Sequence, residues 1–370
     1  MGVGSAMAPG DTLAADSLRG FSSEQLIRFL RTPRGRVAYG VVGSGPPLLL
    51  DLGRANHLEA FWRHPAYRLF VQRLARHFTV IRWDRPGFGL SDRDAPDLSE
   101  AGELCQIEHL VRSLGIDRLA ILAGHDSGPI MIDFAARHPD LVSRLGLFGT
   151  SADGRLLAPS LPPLVLETLT RQESLAIHQV VAATLASGFD AQATSWLVNA
   201  VEEAAGAQTI RRLLEETTHL DARPSLPLLR IPVLVLHRRG DHLVPSAVGR
   251  KLAGAIEGAS FEVFPGAEHL PFEGDVEPVL RALTRFLGEG ESAEAAPGAE
   301  LLSARELQVI RMVTQGLTSG QIGYRLGIGR RTVEAHLEHV RLKLGVRSRA
   351  QIAAWAASGQ LREVVQKSAS

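Results

Sequence analysis

Short apolar runs rich in Val, Ile, Leu and Phe alternate, over roughly the first three quarters of the chain, with segments whose apolar positions recur at helical spacing. The runs predict strands over Arg36–Val42, Pro47–Leu52, Phe78–Trp83, Arg118–Ala123, Ser143–Phe148, Pro232–His237 and Ser260–Phe264. Helix-length patterns lie between several of them, over Tyr67–His77, Leu98–Leu114, Ile130–Arg137 and Ser246–Ile256. Strands alternating with helices imply a mainly parallel sheet covered on both faces. From 151 to about 229 the alternation stops, and only helical patterning is present, with Trp196 among many Leu, Val and Ala. Helices inserted between two sheet strands predict a cap over a site. The stretch GEGESAEAAPGAE, 288–300, is small, acidic and without apolar period, and has the composition of a linker.

A different pattern follows the linker. Ser303-Ala-Arg-Glu306 is a capping box opening a helix with Leu307, Ile310 and Val313 on one face and Gly316 at its end. Thr318-Ser-Gly-Gln321 opens a second, short helix carrying Ile322 and Leu326. The tight turn Gly327-Ile-Gly329 leads to a third helix, in which Val333, Leu337, Val340 and Leu344 form a core-facing stripe. Gly345 ends it, and Ser348-Arg-Ala-Gln351 starts a fourth helix with Ile352 and Trp355. Two helices around a three-residue, glycine-containing turn make a helix-turn-helix, whose second helix enters the major groove of DNA. Removing the buried stripe leaves Arg331, Thr332, Glu334, Ala335, Glu338 and Arg341 on the outer side of that helix. Arg331 and Thr332 suit phosphate contacts, the two glutamates suit a cytosine amino group, and Arg341, Lys343 and Arg347 add charge near the backbone.

Composition changes the picture only through its distribution. The 370 residues are 45% hydrophobic and 22% charged, with a formal net charge of zero. Residues 301–370 hold eleven Lys/Arg against four Asp/Glu, a balance of +7, so the preceding 300 residues carry −7. A basic tail behind an acidic body fits nucleic-acid binding by the tail alone. Cys105 is the single cysteine, which rules out an internal disulfide and a cysteine-built metal site. It falls in a helical pattern and is expected to be buried. No run approaches the ~20 apolar residues of a membrane helix, and Met1 to Gly20 lacks the basic start and apolar run of a signal peptide. A cytoplasmic location is expected.

The stretch LSARELQVIRMVTQGLTSGQIGYRLGIGRRTVEAHLEHVRLKLGV, about Leu301 to Trp355 with its continuation, closely resembles the DNA-binding domain of LuxR-type regulators. Gly329 departs from that pattern by standing where a helix cap is usual, and Glu338 by its acidity at an exposed position. The alternative is a four-helix protein-interaction module with similar caps.

In the larger part, the strand RLAILA runs into Gly124-His-Asp-Ser-Gly128 and then a helix. This is the strand–turn–helix setting of a nucleophile elbow, in which small residues flank a side chain raised on a strained turn. The glycines at 124 and 128 centre the elbow on Asp126; centring it on Ser127 would place His125 and Pro129 where small residues are needed. Asp241 follows the strand PVLVLH, and His269 follows the strand FEVF, in the order nucleophile, acid, histidine. With Trp83-Asp-Arg-Pro-Gly-Phe-Gly-Leu-Ser91, these motifs make about Val37 to Leu287 look like an α/β-hydrolase fold protein. The fold class is therefore α/β: an α/β-hydrolase fold with a helical cap, followed by a small all-α helix-turn-helix domain. The expected division is 1–24, a flexible N-terminus; 25–287, with the cap at about 151–229; a linker at 288–300; and 301–370.

The resemblance leaves two roles open for Asp126, Asp241 and His269. In similar enzymes an aspartate at the elbow attacks a saturated carbon, as in dehalogenases and epoxide hydrolases, and histidine-activated water releases the product. Auxiliary groups are missing here: none of the three tyrosines, Tyr39, Tyr67 and Tyr324, is in the cap, Ser127 stands where a halide-binding tryptophan is common, and Leu52-Gly53 replaces the usual His-Gly. The other role is anchoring a small, largely apolar ligand, with His57, Trp62 and Ser127 as further pocket residues. The leading expectation is a ligand-sensing, DNA-binding regulator, and the alternatives are an active hydrolase coupled to DNA binding and a scaffold for a protein partner. Expected partners are duplex DNA, a small-molecule ligand, a second copy of the chain and RNA polymerase, with no membrane, cofactor or metal.

Overall fold

Strands buried on both faces are the most strongly patterned elements, and in the computed structural model each of the seven apolar runs is a strand whose ends move by no more than one residue. An eighth strand precedes them. The order along the chain is β1 (Leu26–Thr32), β2 (Gly35–Val42), β3 (Pro47–Asp51), β4 (Thr79–Trp83), β5 (Leu119–Gly124), β6 (Val142–Phe148), β7 (Val233–Arg238) and β8 (Ser260–Phe264). The structure describes residues 24–94, 97–157, 176–186, 188–288, 304–344 and 348–357.

The strands form one sheet in the order β1-β2-β4-β3-β5-β6-β7-β8. β1 and β2 are antiparallel, as are β2 and β4, and all later pairings are parallel. Strand β1 leaves no pattern in the sequence because it is an edge: only Leu30 is buried, and Leu26 and Phe29 are exposed, so no face alternates cleanly. In the central strands successive residues feed opposite cores. Leu48, Leu50, Leu122, Leu234 and Leu236 belong to one apolar cluster, and Leu49, Ile121, Leu145, Leu147, Val233 and Val235 to the other.

The helices of this unit are α1 (Leu58–Arg63), α2 (Pro65–Leu74), α3 (Glu100–Ser113), α4 (Gly128–Arg137), α5 (Ala176–Leu185), α6 (Ala191–Ala204), α7 (Ala207–His219), α8 (Ser246–Gly254) and α9 (Val276–Leu287). Helices α5–α7 are the insertion between β6 and β7. Their Ile177, Val181, Leu197, Val201, Ile210 and Leu213 share a cluster with Leu48 and Leu50, so they cover one face at the strand ends. Cys105 is exposed on α3, contrary to expectation, because the buried face of that helix runs through Leu104, Ile107, Leu110 and Val111.

The chain divides into two units, Met1–Gly290 and Glu291–Ser370. The second holds α10 (Ala304–Thr314), α11 (Ser319–Leu326), α12 (Arg330–Leu344) and α13 (Arg349–Ala357) around Ile310, Val313, Ile322, Val333, Leu337, Val340 and Ile352. The capping box at Thr318 and Gln321 is formed in both directions, and Gly327 ends α11 in the left-handed region at φ +64°. Ser348 and Gln351 exchange a second such pair at 3.1 and 3.2 Å. Ser303, Gly345 and the side chains of Leu344 and Trp355, named in the sequence reading, lie outside the described residues.

Candidate ligand and nucleic-acid sites

Strand β5 carries the chain to Gly124, and the turn that follows is strained at His125, which has a φ of +45°. It is the one non-glycine residue with positive φ among the described residues. The apex of the elbow is thus one residue earlier than the glycine-framed reading places it. Small residues flank this frame too, at Ala123 and Ser127, and that was the signal the sequence offered for His125. Gly128, the start of α4, is required for a different reason: a Cβ there would overlap the Thr150 hydroxyl and lie 2.8 Å from the Thr150 Cβ and Cγ2.

Asp241 and His269 are brought together as expected from their positions after β7 and β8. His269 Nδ1 is 2.8 Å from Asp241 Oδ2, and both side chains are fully buried. The amides of Leu243 and Val244 donate to Asp241 Oδ1 at 2.9 and 3.1 Å. Burial pushes the Asp241 carboxyl up, but the His269 bond and charge together with those amides outweigh it, and the net direction is down. The other ring nitrogen, His269 Nε2, is 3.0 Å from His125 Nδ1. His125 therefore holds the contact that a nucleophile hydroxyl makes in a hydrolytic triad. Burial, first, and the neighbouring His269 lower the His125 imidazole to about 4, against a raising influence of Asp126 and Asp241.

Asp126 follows the apex and is buried, 6% exposed. Its Oδ1 accepts from the amide of Arg54 at 2.8 Å, in the loop after β3. In the hydrolase fold a β3-loop amide and the amide following the nucleophile make the oxyanion hole. Here the β3-loop amide is taken by the chain's own carboxylate.

Ser127 points the other way. Its Oγ donates to Asp51 Oδ1 at 2.6 Å and accepts from Arg85 Nη2 at 3.2 Å. Asp51 also receives Trp83 Nε1 at 3.0 Å and the Arg85 guanidinium at 2.8 and 3.1 Å, while Arg85 Nε donates to Glu103 at 2.6 Å. Arg54 completes the set, donating from Nε to Glu103 at 2.7 Å and from Nη1 to Thr217 of α7 at 3.0 Å. This buried network links β3, β4, α3, the elbow and the cap, and no sequence motif announced it as a unit.

A cavity of about 50 Å³ lies between the carboxyl ends of the strands and the cap helices. His125 and Asp126 line its polar end, and Phe61, Val181, Leu185, Leu197, Ile210 and Leu213 are among its apolar walls. None of the three further pocket residues expected from sequence lines it. His57 is instead the N-cap of α1, its Nδ1 accepting from the amides of Glu59 and Ala60 at 3.2 and 3.5 Å, and burial lowers its ring below the usual value. Trp62 donates to Glu24 at 3.4 Å and lies against Arg82, whose guanidinium carbon is 5.2 Å from the ring centroid. Ser127 is held below by Asp51. Tyr67, from α2 and not from the cap, does line the cavity, with its hydroxyl 3.0 Å from Arg82 Nη1.

In the second unit, Arg331, Thr332, Glu334, Ala335 and Glu338 are exposed on α12, and Arg341 is half-buried. Arg330 Nε donates to Glu334 at 2.8 Å, and Arg341 pairs with Glu338, so both acids already face a guanidinium of their own helix. Such exposed pairs contribute little to stability and are readily exchanged for another partner. Arg347 and the side chain of Lys343 lie outside the described residues. Among the described residues no helix is long and apolar enough to cross a membrane.

Comparison with known proteins agrees with the two-unit division. Residues 43–282 match the model of the alpha/beta hydrolase family, and residues 300–356 that of bacterial regulatory proteins of the luxR family. An uncharacterized protein of Mycobacterium tuberculosis is 28% identical over 287 residues, 71% of this chain and 82% of its own length. Pimeloyl-[acyl-carrier protein] methyl ester esterase of Vibrio vulnificus is 28% identical over 260 residues, covering 67% of this chain and 96% of the esterase. Among solved structures, the enol-lactonase of Burkholderia xenovorans superposes with a TM-score of 0.59 at 22% identity, over 70% of this chain and 99% of the lactonase, which speaks for the fold alone. The chain therefore belongs to the α/β-hydrolase family and carries, after that domain, a helix-turn-helix domain of the LuxR type.

Proposed function

We propose that this chain is a DNA-binding transcription regulator whose hydrolase-fold domain binds a small, largely apolar molecule without hydrolysing it. The observation that carries the second half is the His125–His269 contact. Hydrolysis through a triad needs a hydroxyl, thiol or carboxylate in contact with the histidine nitrogen that is not bonded to the acid. The apex holds an imidazole, and both nitrogens of His269 are engaged, by Asp241 and by His125. The same contact weighs against Asp126 as a dehalogenase-like nucleophile, because His269 Nε2 would have to activate the water that releases the product. The first half rests on the luxR-family match and on the exposed face of α12. A second copy of the chain, reading the other half-site one helical turn away, and RNA polymerase are the protein partners that this reading entails.

The test uses the full chain and duplexes selected from a random pool. Affinity should fall steeply with salt, with a slope of about −0.9 per phosphate neutralised. Arg331→Ala should weaken binding and flatten that slope by about one. A chain that selects no duplex, or whose binding ignores salt, overturns the reading. The sensing half requires that a small molecule which raises the melting temperature also changes the affinity for the selected duplex. A library in which no molecule does both removes it.

A further inference from the structure

The polar lining of the cavity holds His125 and Asp126 beside Asp51, Arg54, Asn56 and Thr184, and acceptors of the first two are left without a partner. The Asp241 carboxylate can only accept, so the proton of its bond with His269 sits on Nδ1. With a neutral His269 ring, Nε2 is a lone pair and the 3.0 Å contact is donated by His125 Nδ1. The His125 ring, lowered to about 4 chiefly by burial, then offers Nε2 as an acceptor.

Asp126 adds a stronger one. Its Oδ1 takes the Arg54 amide, and among the described residues no donor reaches Oδ2. The guanidinium of Arg54 is turned away, to Glu103, Thr217 and the Leu98 carbonyl. Asp51 and Arg54 also line the cavity, but with Glu103 and Arg85 they form two anions against two cations, and that set is closed on itself. Asp126 is thus a buried carboxylate with a backbone amide but no cation beside it. Burying such a charge is unfavourable unless a cation or further donors meet it.

We infer that the cavity is built for a small organic cation, an ammonium group on an apolar body, whose N–H groups bond Asp126 Oδ2 and His125 Nε2 while the body lies against the cap helices. This rests on the ligand-binding reading above and adds the chemical class. The same carboxylate repels carboxylate ligands and fills the amide that an ester carbonyl would need, so the preference is inverted relative to an acyl-transfer site. The cavity's size favours a body of a few carbons.

Four matched probes test it: n-butylammonium, 1-butanol, butyrate and methyl butyrate, titrated into the full chain at pH 7 and constant ionic strength, with melting temperature and calorimetric affinity as readouts. Butylammonium should raise the melting temperature and bind about tenfold or more tighter than 1-butanol, as a charge-assisted bond requires. Butyrate and methyl butyrate should produce no shift. Asp126→Asn should cost butylammonium about tenfold and cost 1-butanol less. Butyrate or methyl butyrate binding as tightly as the amine overturns the inference, as does an Asp126→Asn chain that keeps the full amine affinity. If that variant does not fold, the order of the four probes on the wild-type chain decides. Binding by none of the four overturns the cationic class; a neutral or anionic molecule from a wider library that shifts both melting temperature and DNA affinity would then leave the sensor reading standing.

Discussion

An ester-cleaving α/β-hydrolase lifts a hydroxyl on a strained turn, and at that point this chain lifts the imidazole of His125. The next residue normally lends only its amide, and here Asp126 adds a carboxylate that occupies the Arg54 amide. The two substitutions can be separated. His125→Ser restores the hydroxyl but leaves the amide blocked; the double variant His125→Ser/Asp126→Ala frees both. Losing one oxyanion donor costs about 10²–10³ in turnover, so hydrolysis of p-nitrophenyl acetate should be at least about 100-fold faster in the double variant than in the single one. Equal rates would show that Asp126 does not block the site. The lowered His125 ring also has a pH signature. The unfolded imidazole, near 6.5, takes its proton before the folded one, near 4, so acid favours the unfolded chain across that window. In thermal melts His125→Gln should gain on the wild type as pH falls from 6.5 to 4, and a constant difference would contradict the shift. Asp241 and His269 were legible because each follows a clear strand. His125 was not, because the glycines at 124 and 128 frame Asp126, and only the backbone shows which residue turns.

The strand–turn–helix of β5 and α4 works because Gly128 packs on Thr150. Gly128→Ala should lower stability by about 1–3 kcal/mol through overpacking, read from urea unfolding. The ion network beneath is more demanding. Arg85→Met leaves Asp51 and Glu103 without their shared cation and should cost about 3–5 kcal/mol; a loss below about 1 kcal/mol would mean that solvent reaches them. Central strands and the four C-terminal helices were legible because burial on two faces, or a glycine-ended amphipathic stripe, leaves a regular pattern. The edge strand β1 left none, since the sheet buries only one of its side chains well. The network was equally silent: Asp51, Arg54, Arg85 and Glu103 are far apart in sequence and meet only through the fold.

Across the whole molecule, charge is divided, with +7 after residue 300 and −7 before it. That division and the two motif sets made the two-part architecture readable from sequence, whereas the cavity lining was not, because it comes from six or more separate segments. On α12 the pairing of Arg341 with Glu338 tempers the basic face. Glu338→Ala should strengthen binding to unselected duplex and steepen the salt slope by up to about one, measured by fluorescence anisotropy; unchanged binding would place this face away from DNA. What joins the two units functionally is the idea of a hydrolase fold that binds and does not turn over. The most direct measurement of it is the turnover of short p-nitrophenyl esters, a haloalkane and an epoxide by the full chain beside His269→Ala. Equal background rates are expected for both. A turnover that disappears with His269→Ala would contradict the account.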